Sequence, residues 1–359
     1  MALDRITLTR FRTHDATRLD GSAGLNLLVG ENGAGKTNVL EALSLLAPGR
    51  GLRRAALGEM AEGGTGAFAV SAELGERVVI GTGTSADKPG RRLVQVNGAE
   101  TSAVALGEWL AVAWLTPAMD RLFADSAGAR RRYMDRLAVA LDPGHARQAS
   151  RFETALRERN RLLSGENEPD PRWLDSLEAQ LAEAGAALAQ GRARLVEQLS
   201  AALAGLPDAP FARPALAYAP GGPVEAEPLA AELARHRARD RAAQRTLTGP
   251  HRDELEVAMT SLGSGTGMPA ASCSTGEQKA MLIALTLAHA EMASAGRPGV
   301  LLLDEVAAHL DPVRRGALFE RLREGKAQVW LTGTELAPFE EIAGEAAVWR
   351  VEGGQVQRV

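Results

Sequence analysis

The chain has 359 residues, room for one large domain or two to three smaller ones, with the 45% hydrophobic and 24% charged content of an ordinary globular protein. A formal net charge of −4 means that nucleic-acid binding must rest on local basic patches, and 4% aromatics argue against a platform for stacking single-stranded bases. A single cysteine, Cys273, excludes an intramolecular disulfide and points to a reducing cytoplasm; no apolar run approaches the roughly 20 residues of a membrane helix, and the acid at Asp4 leaves no signal-peptide core.

Residues 3–11 read as a short strand through Leu3, Ile6, Leu8 and Phe11. Arg12-Thr13-His14 interrupts it, and Asp20-Gly21 is a turn signal that predicts a hairpin between the runs flanking it. Leu25 to Val29 is an apolar strand leading into Gly30-Glu31-Asn32-Gly33-Ala34-Gly35-Lys36-Thr37, which fits the phosphate-loop pattern G-x-x-x-x-G-K-[ST]. Asn38 to Leu43 starts the helix that this motif requires. The three glycines let successive N–H groups turn toward one phosphate chain, and the helix N-terminus adds partial positive charge. Lys36 is expected at the β- and γ-phosphates, and the Thr37 hydroxyl on Mg²⁺. Pro48 to Gly51 ends the helix. Strands over 67–72, 78–80 and 93–96, with Asn97-Gly98 as a turn, predict a β-rich insertion.

Trp109 to Leu115 is apolar and ends at Thr116-Pro117, after which residues 119–205 become rich in Ala, Leu, Arg and Glu at helical spacing. Phe152, Leu156 and Leu163 mark one helix, and Leu174, Leu177, Leu181, Leu188, Leu195 and Leu199 another of coiled-coil character, joined by a turn over Gly165 to Pro171. A short strand near Leu216 to Tyr218 and a helix from Pro228 to Arg245 follow. Leu255 to Met259 returns to strand, Ala280 to Ala293 to helix, and 300–303 and 329–331 to buried strands; 347–359 reads as a hairpin through Gly353-Gly354. The expected organisation is an α/β nucleotide-binding head made of 1–116 and 246–359, interrupted by a mostly helical arm over 117–245.

Asp304-Glu305, at the end of four apolar residues, has the form of a Walker B pair. Asp304 would hold Mg²⁺ and Glu305 would act as general base on the attacking water. Ser274-Thr275-Gly276-Glu277-Gln278 has the S-x-G-x-Q shape of an ABC-type signature, the surface that caps the γ-phosphate held by a partner protomer. Ser274 with Glu277 is equally a capping box, and both readings can hold together. His309-Leu310-Asp311 fits a D-loop, or simply a turn before Pro312. Thr332-Gly333-Thr334 stands where transporter ATPases carry a switch histidine, and Asp120 where they carry a Q-loop glutamine. Arg130, Arg131, Arg132 and Arg136 are candidate DNA contacts; the interleaved Asp135 supports a plain solvated face instead.

Together these motifs resemble the RecF family, nearly end to end. The resemblance is carried by Leu8 to Arg12, by Gly30 to Ala42, by Arg131-Arg132-Tyr133-Met134-Asp135, by Gly249-Pro250-His251-Arg252-Asp253-Glu254-Leu255, by Ser274 to Lys279 and by Leu303-Asp304-Glu305. His14 and Glu277 depart from the family's usual residues without removing a phosphate ligand. The resemblance implies a P-loop, ABC-type ATPase head like those of chromosome-maintenance (SMC) proteins, a slow DNA-stimulated ATPase, and two ATP molecules sandwiched in an ATP-dependent homodimer. It also implies duplex DNA at gap junctions, cooperation with RecO and RecR in loading RecA, and Arg12 near the nucleotide. Two alternatives remain at this point: a transporter ATPase subunit and a non-catalytic ATP-gated clamp. Spacing speaks against the former, since Ser274 lies 238 positions (274 minus 36) after Lys36.

Overall fold

Four runs, Leu25–Val29, Ala111–Leu115, Gly299–Leu303 and Gln328–Gly333, are buried along nearly their whole length. Strands of this kind must be covered on both faces, and they pair in parallel as four consecutive strands of one sheet. The computed structural model describes residues 2–75, 78–206, 209–211, 213–260, 267–307 and 310–359. They form two compact units, one of Met1–Asp120, Pro207–Ala212 and Lys279–Val359, the other of Arg121–Leu206 and Arg213–Gln278.

In the first unit the central sheet runs in the order Gln355–Arg358, Ala347–Glu352, Leu25–Val29, Gln328–Gly333, Gly299–Leu303, Ala111–Leu115. All neighbours are parallel except the edge hairpin of Ala347–Glu352 with Gln355–Arg358. Gly333 is level with Val29, and Leu303 with Leu331. This register brings the C-terminal ends of three strands together, where open parallel sheets bind ligands. A second, antiparallel sheet has the order His14–Asp20, Arg5–Phe11, Phe68–Leu74, Val78–Ser85, Lys88–Val96, Ala99–Glu100. One core joins Ile6, Leu8 and Phe11 of this sheet, Val39, Leu40 and Leu43 of the helix Lys36–Ser44, and Val300, Leu302 and Trp330 of the central sheet.

The first hairpin differs from the expected one. Its turn is Arg12-Thr13, with Phe11 opposite His14, and Arg12 takes a positive φ of 56°. Asp20-Gly21 instead carries the chain from one sheet to the other. The three strands expected after the phosphate-loop helix are present and antiparallel, and Asn97-Gly98, both residues at positive φ, turns the third into the short strand Ala99–Glu100.

The second unit is built on the helices Ala127–Leu141, Gly144–Leu163 and Pro171–Ala204. The last has 34 residues, about 50 Å of helix. Phe152, Leu177, Leu181, Leu188, Leu229 and Leu233 form its apolar core. The strand Glu254–Met259 pairs with Pro214–Ala219 and Met268–Pro269. This pairing keeps 213–278 with the helices, so the chain leaves this unit at Gln278 rather than at 245. The expected helix from Pro228 to Arg245 is two, Ala226–Arg235 and Arg237–Ala242, separated at His236.

Candidate nucleotide site

Gly30 opens the phosphate loop by donating its N–H to the Gly333 carbonyl, 3.2 Å. A Cβ at Gly30 would lie 2.1 Å from the Val351 carbonyl oxygen of the neighbouring strand, so no other residue fits. Gly35, at φ 113°, caps the helix Lys36–Ser44. The Lys36 ammonium folds back over the loop and donates to the carbonyls of Gly30 (2.6 Å) and Glu31 (2.9 Å). Burial lowers its pKa, while Glu305 and Asp304 oppose that shift.

The two motifs expected to share a metal meet directly. The Thr37 hydroxyl donates to Asp304 Oδ1 at 3.0 Å, and the Thr332 hydroxyl donates to the same oxygen at 2.8 Å. The Thr332 hydroxyl also accepts the Glu305 N–H, 2.9 Å. Burial raises the Asp304 pKa; the two hydroxyl bonds oppose it and nearby Glu305 adds to it. Among the described residues no group of three or more His, Cys, Asp or Glu forms a metal cage. One hydroxyl beside one carboxylate suits Mg²⁺, which keeps most of its ligands as water and phosphate oxygens.

Three supports of this loop carry no local sequence signal. His14 is fully buried and places Nδ1 2.7 Å from the Gly354 carbonyl oxygen and Nε2 3.2 Å from that of Gly35. The Gly354 N–H in turn donates to the Ala34 carbonyl, 3.1 Å. Glu41, on the helix and fully buried, accepts two bonds from Arg12 (2.9 and 2.7 Å) and one from Arg53 (3.0 Å). Asn38 donates to the Thr13 hydroxyl and accepts from Arg53, at 2.9 and 2.8 Å. Arg12 is therefore held one helical turn beyond Thr37, with a further bond to the Glu59 carbonyl. Glu31, Asn32 and Gly33 are exposed on the loop.

Ser274 and Glu277 form a capping box: the Ser274 N–H and hydroxyl donate to Glu277 Oε2 at 2.8 and 2.7 Å, and the Glu277 N–H donates to Ser274 Oγ at 3.3 Å. Ser274, Thr275 and Gly276 are exposed, whereas Gln278 is buried and donates to the Cys273 carbonyl. Asp311 caps the helix Pro312–Glu324 by accepting the Arg314 N–H at 3.0 Å. His309 lies outside the described residues. Asp120 faces Lys279 at 3.6 Å.

The four arginines expected at DNA differ in placement. Arg130 gives two bonds to Glu254 (2.6 and 2.8 Å), and Arg131 donates to the Asp253 carbonyl (2.8 Å). Burial lowers the Arg136 pKa to about 10, and its guanidinium lies over the Tyr133 ring. Arg132 is exposed. The Gly-Pro-His-Arg-Asp stretch is a scaffold: Asp253 accepts from Arg192 (2.8 Å), Tyr218 (2.5 Å) and the Gly221 N–H (2.8 Å). Arg192 also binds Asp135 through two bonds.

The family model described as the RecF/RecN/SMC N terminal domain matches residues 2–355. The chain is 46% identical over 374 residues to the DNA replication and repair protein RecF of Mesorhizobium japonicum, covering 99% of this chain and 97% of that protein. It is 43% identical to the protein of the same name from Brucella suis, covering 99% and 96%. The solved recombination mediator protein RecF-ATP in the RecFOR pathway superposes with a TM-score of 0.84 at 24% identity, over 100% of this chain and 97% of that one. The α/β fold is thus that of an ABC-type ATPase head of the RecF and SMC kind, and the chain belongs to the RecF family.

Proposed function

We propose that this chain is an ATP-binding and ATP-hydrolysing protein of recombinational DNA repair and replication. The observation that carries the reading is the 3.0 Å bond between Thr37 and Asp304, residues 267 positions apart that the fold brings to one point beside Lys36. In this reading the nucleotide head is built on 1–116 and 279–359, and the arm, expected over 117–245, runs on to Gln278. Gly30, Glu31, Asn32, Gly33, Ala34, Gly35, Lys36, Thr37 and Asn38 hold the triphosphate of ATP. Thr37 and Asp304 hold Mg²⁺, which supplies charge neutralisation at the phosphates. Glu305 takes the proton of the attacking water as ADP and phosphate form. Arg12 acts through Glu41, at the helix that carries Lys36 and Thr37.

The exposed Ser274, Thr275 and Gly276 serve the ATP of a second copy, and Asp311 acts as the D-loop residue, so ATP drives homodimer formation. Hydrolysis is slow, is stimulated by DNA and resets the dimer. The ligand is duplex DNA near gap junctions, and the partners are RecO and RecR in loading RecA, in the cytoplasm. The names of the relatives support this setting. The RecF family membership removes the transporter alternative, and an ATP-gated clamp in which turnover is incidental is separated from this reading by Glu305→Gln, in which DNA binding would persist or strengthen while hydrolysis is lost.

The test measures ATP binding, hydrolysis and molar mass by light scattering with ATP and Mg²⁺. Glu305→Gln is expected to bind ATP, to double its mass and to lose turnover. Ser274→Arg is expected to bind ATP and stay monomeric, and Lys36→Ala to lose both binding and assembly. A Glu305→Gln protein that stays monomeric with ATP overturns the dimer mechanism.

A further inference from the structure

Glu305 takes a left-handed backbone conformation, φ 52°, unusual for a residue other than Gly, Asn or Asp. Such a conformation is strained and persists only where neighbours enforce it. Here the enforcing contact is visible. The Glu305 N–H donates to Thr332 Oγ1, 2.9 Å, and the same hydroxyl donates its proton to Asp304 Oδ1, 2.8 Å. One hydroxyl thus spends its donor on one acidic residue and an acceptor position on the next. Thr332 is itself buried, at the end of the strand Gln328–Gly333 that runs between the phosphate-loop strand and the strand leading to Asp304. Thr37 bonds the same Asp304 oxygen, so Oδ2 carries neither hydroxyl bond.

We propose that Thr332 is a positioning residue for hydrolysis: its hydroxyl fixes both the rotation of the Asp304 carboxylate and the backbone turn that aims Glu305. This rests on the ATPase reading above. The strand end where other ATPases place a histidine then contributes here by orienting the acidic pair rather than by touching the γ-phosphate. Ground-state binding of ATP depends mainly on the loop Gly30 to Thr37, which Thr332 meets only through the Asp304 oxygen that Thr37 shares. Loss of the hydroxyl therefore acts on turnover and leaves nucleotide affinity largely intact.

The experiment compares Thr332→Val, which keeps the shape, with Thr332→Ser, which keeps the hydroxyl. Thr332→Ala replaces the valine form if that form does not fold. The hydroxyl-free variant is expected to lower kcat about 10- to 100-fold, the usual effect of removing such a supporting bond, with KM for ATP within about twofold. Thr332→Ser is expected to recover most of the lost turnover. Amide hydrogen exchange on the protein without nucleotide gives a second readout: the Glu305 N–H should exchange faster in Thr332→Val than in the parent or in Thr332→Ser. Unchanged kcat, an equal loss of affinity and turnover, or an unchanged Glu305 exchange rate overturns the proposal. If the parent chain itself hydrolyses no ATP, the ATPase reading fails, and amide exchange still decides whether Thr332 sets the Glu305 backbone.

Discussion

Arg12 and Glu41 meet through two hydrogen bonds of 2.9 and 2.7 Å, joining the first hairpin turn to the helix that begins at Lys36. The carboxylate is fully buried and Arg53 is its other cation, at 3.0 Å. Breaking a buried ion pair by removing one partner costs about 3–5 kcal/mol, and the remaining Arg53 should hold the cost of Arg12→Ala to about 2 kcal/mol. Arg12→Lys should not restore it, because an ammonium cannot reproduce the two-point bond. Urea denaturation of the three proteins checks this; a lysine variant as stable as the parent would refute the geometric argument.

Acid sensitivity should concentrate on the helical unit. Burial alone would raise the Asp135 pKa, but bonds from His145 and Arg192 outweigh it and leave it lowered. The Arg130 bond lowers that of Glu254 against burial. A lowered folded pKa means that the unfolded chain takes up the proton first. The stabilisation is therefore complete above the ordinary values of 3.8 and 4.5 and disappears as pH falls below them. Arg192→Met should flatten the decline of stability below about pH 4 in urea titrations, by removing the partner that lowers Asp135. It should also cost about 3–5 kcal/mol at neutral pH, because Asp253 and Asp135 stay behind.

Gly354 sits at φ 84°, and a Cβ there would come within 1.9 Å of the Thr13 carbonyl oxygen. Gly354→Ala should therefore push the turn off His14 and Ala34 and weaken ATP binding about tenfold, measured with a fluorescent ATP analogue. His14→Phe, which removes the ring nitrogens facing two buried carbonyls, should act in the same direction. Gly353→Ala is the control, since nothing lies within 4 Å of a Cβ there. Its positive φ of 55° predicts a small loss of stability with affinity kept. Equal ATP affinity in all three variants would show that the turn does not shape the loop.

Arg132 and Arg130 should separate cleanly in DNA binding. Arg132→Ala removes an exposed guanidinium, and if that group neutralises one DNA phosphate the slope of log affinity against log salt should fall by about one, with the fold intact. Arg130→Ala should instead destabilise the protein, because it leaves Glu254 without its two-point partner. A salt slope unchanged by Arg132→Ala would remove that residue from the DNA surface.

The central strands were legible because double-sided burial writes a continuous apolar run, as in Val300 to Leu303. The phosphate loop and the Ser274–Glu277 box were legible because their chemistry is local. The first hairpin was misplaced because Arg12 adopts a left-handed turn without glycine. The break at His236 was missed because no Gly or Pro marks it: His236 leaves the helical path at φ −101° and ψ 13°, and the next helix starts at Arg237, whose side chain bonds Glu178, 59 positions away. His14 and Glu41 carry no pattern because each owes its role to partners found elsewhere in the chain, as in the 340 positions between His14 and Gly354; Thr332 was marked by its place at a strand end, but its bonds to Asp304 and Glu305 were not.

Val351 and Gly354 also bear on biosynthesis. Val351 closes against Gly30, and Gly354 closes against Ala34 and His14, so the phosphate loop takes its final shape only when the hairpin of 347–358 has left the ribosome. Nascent chains should not retain ATP until then. Nucleotide binding thus reports synthesis through Gly354, and a chain truncated before Val351 would be excluded from any ATP-dependent assembly.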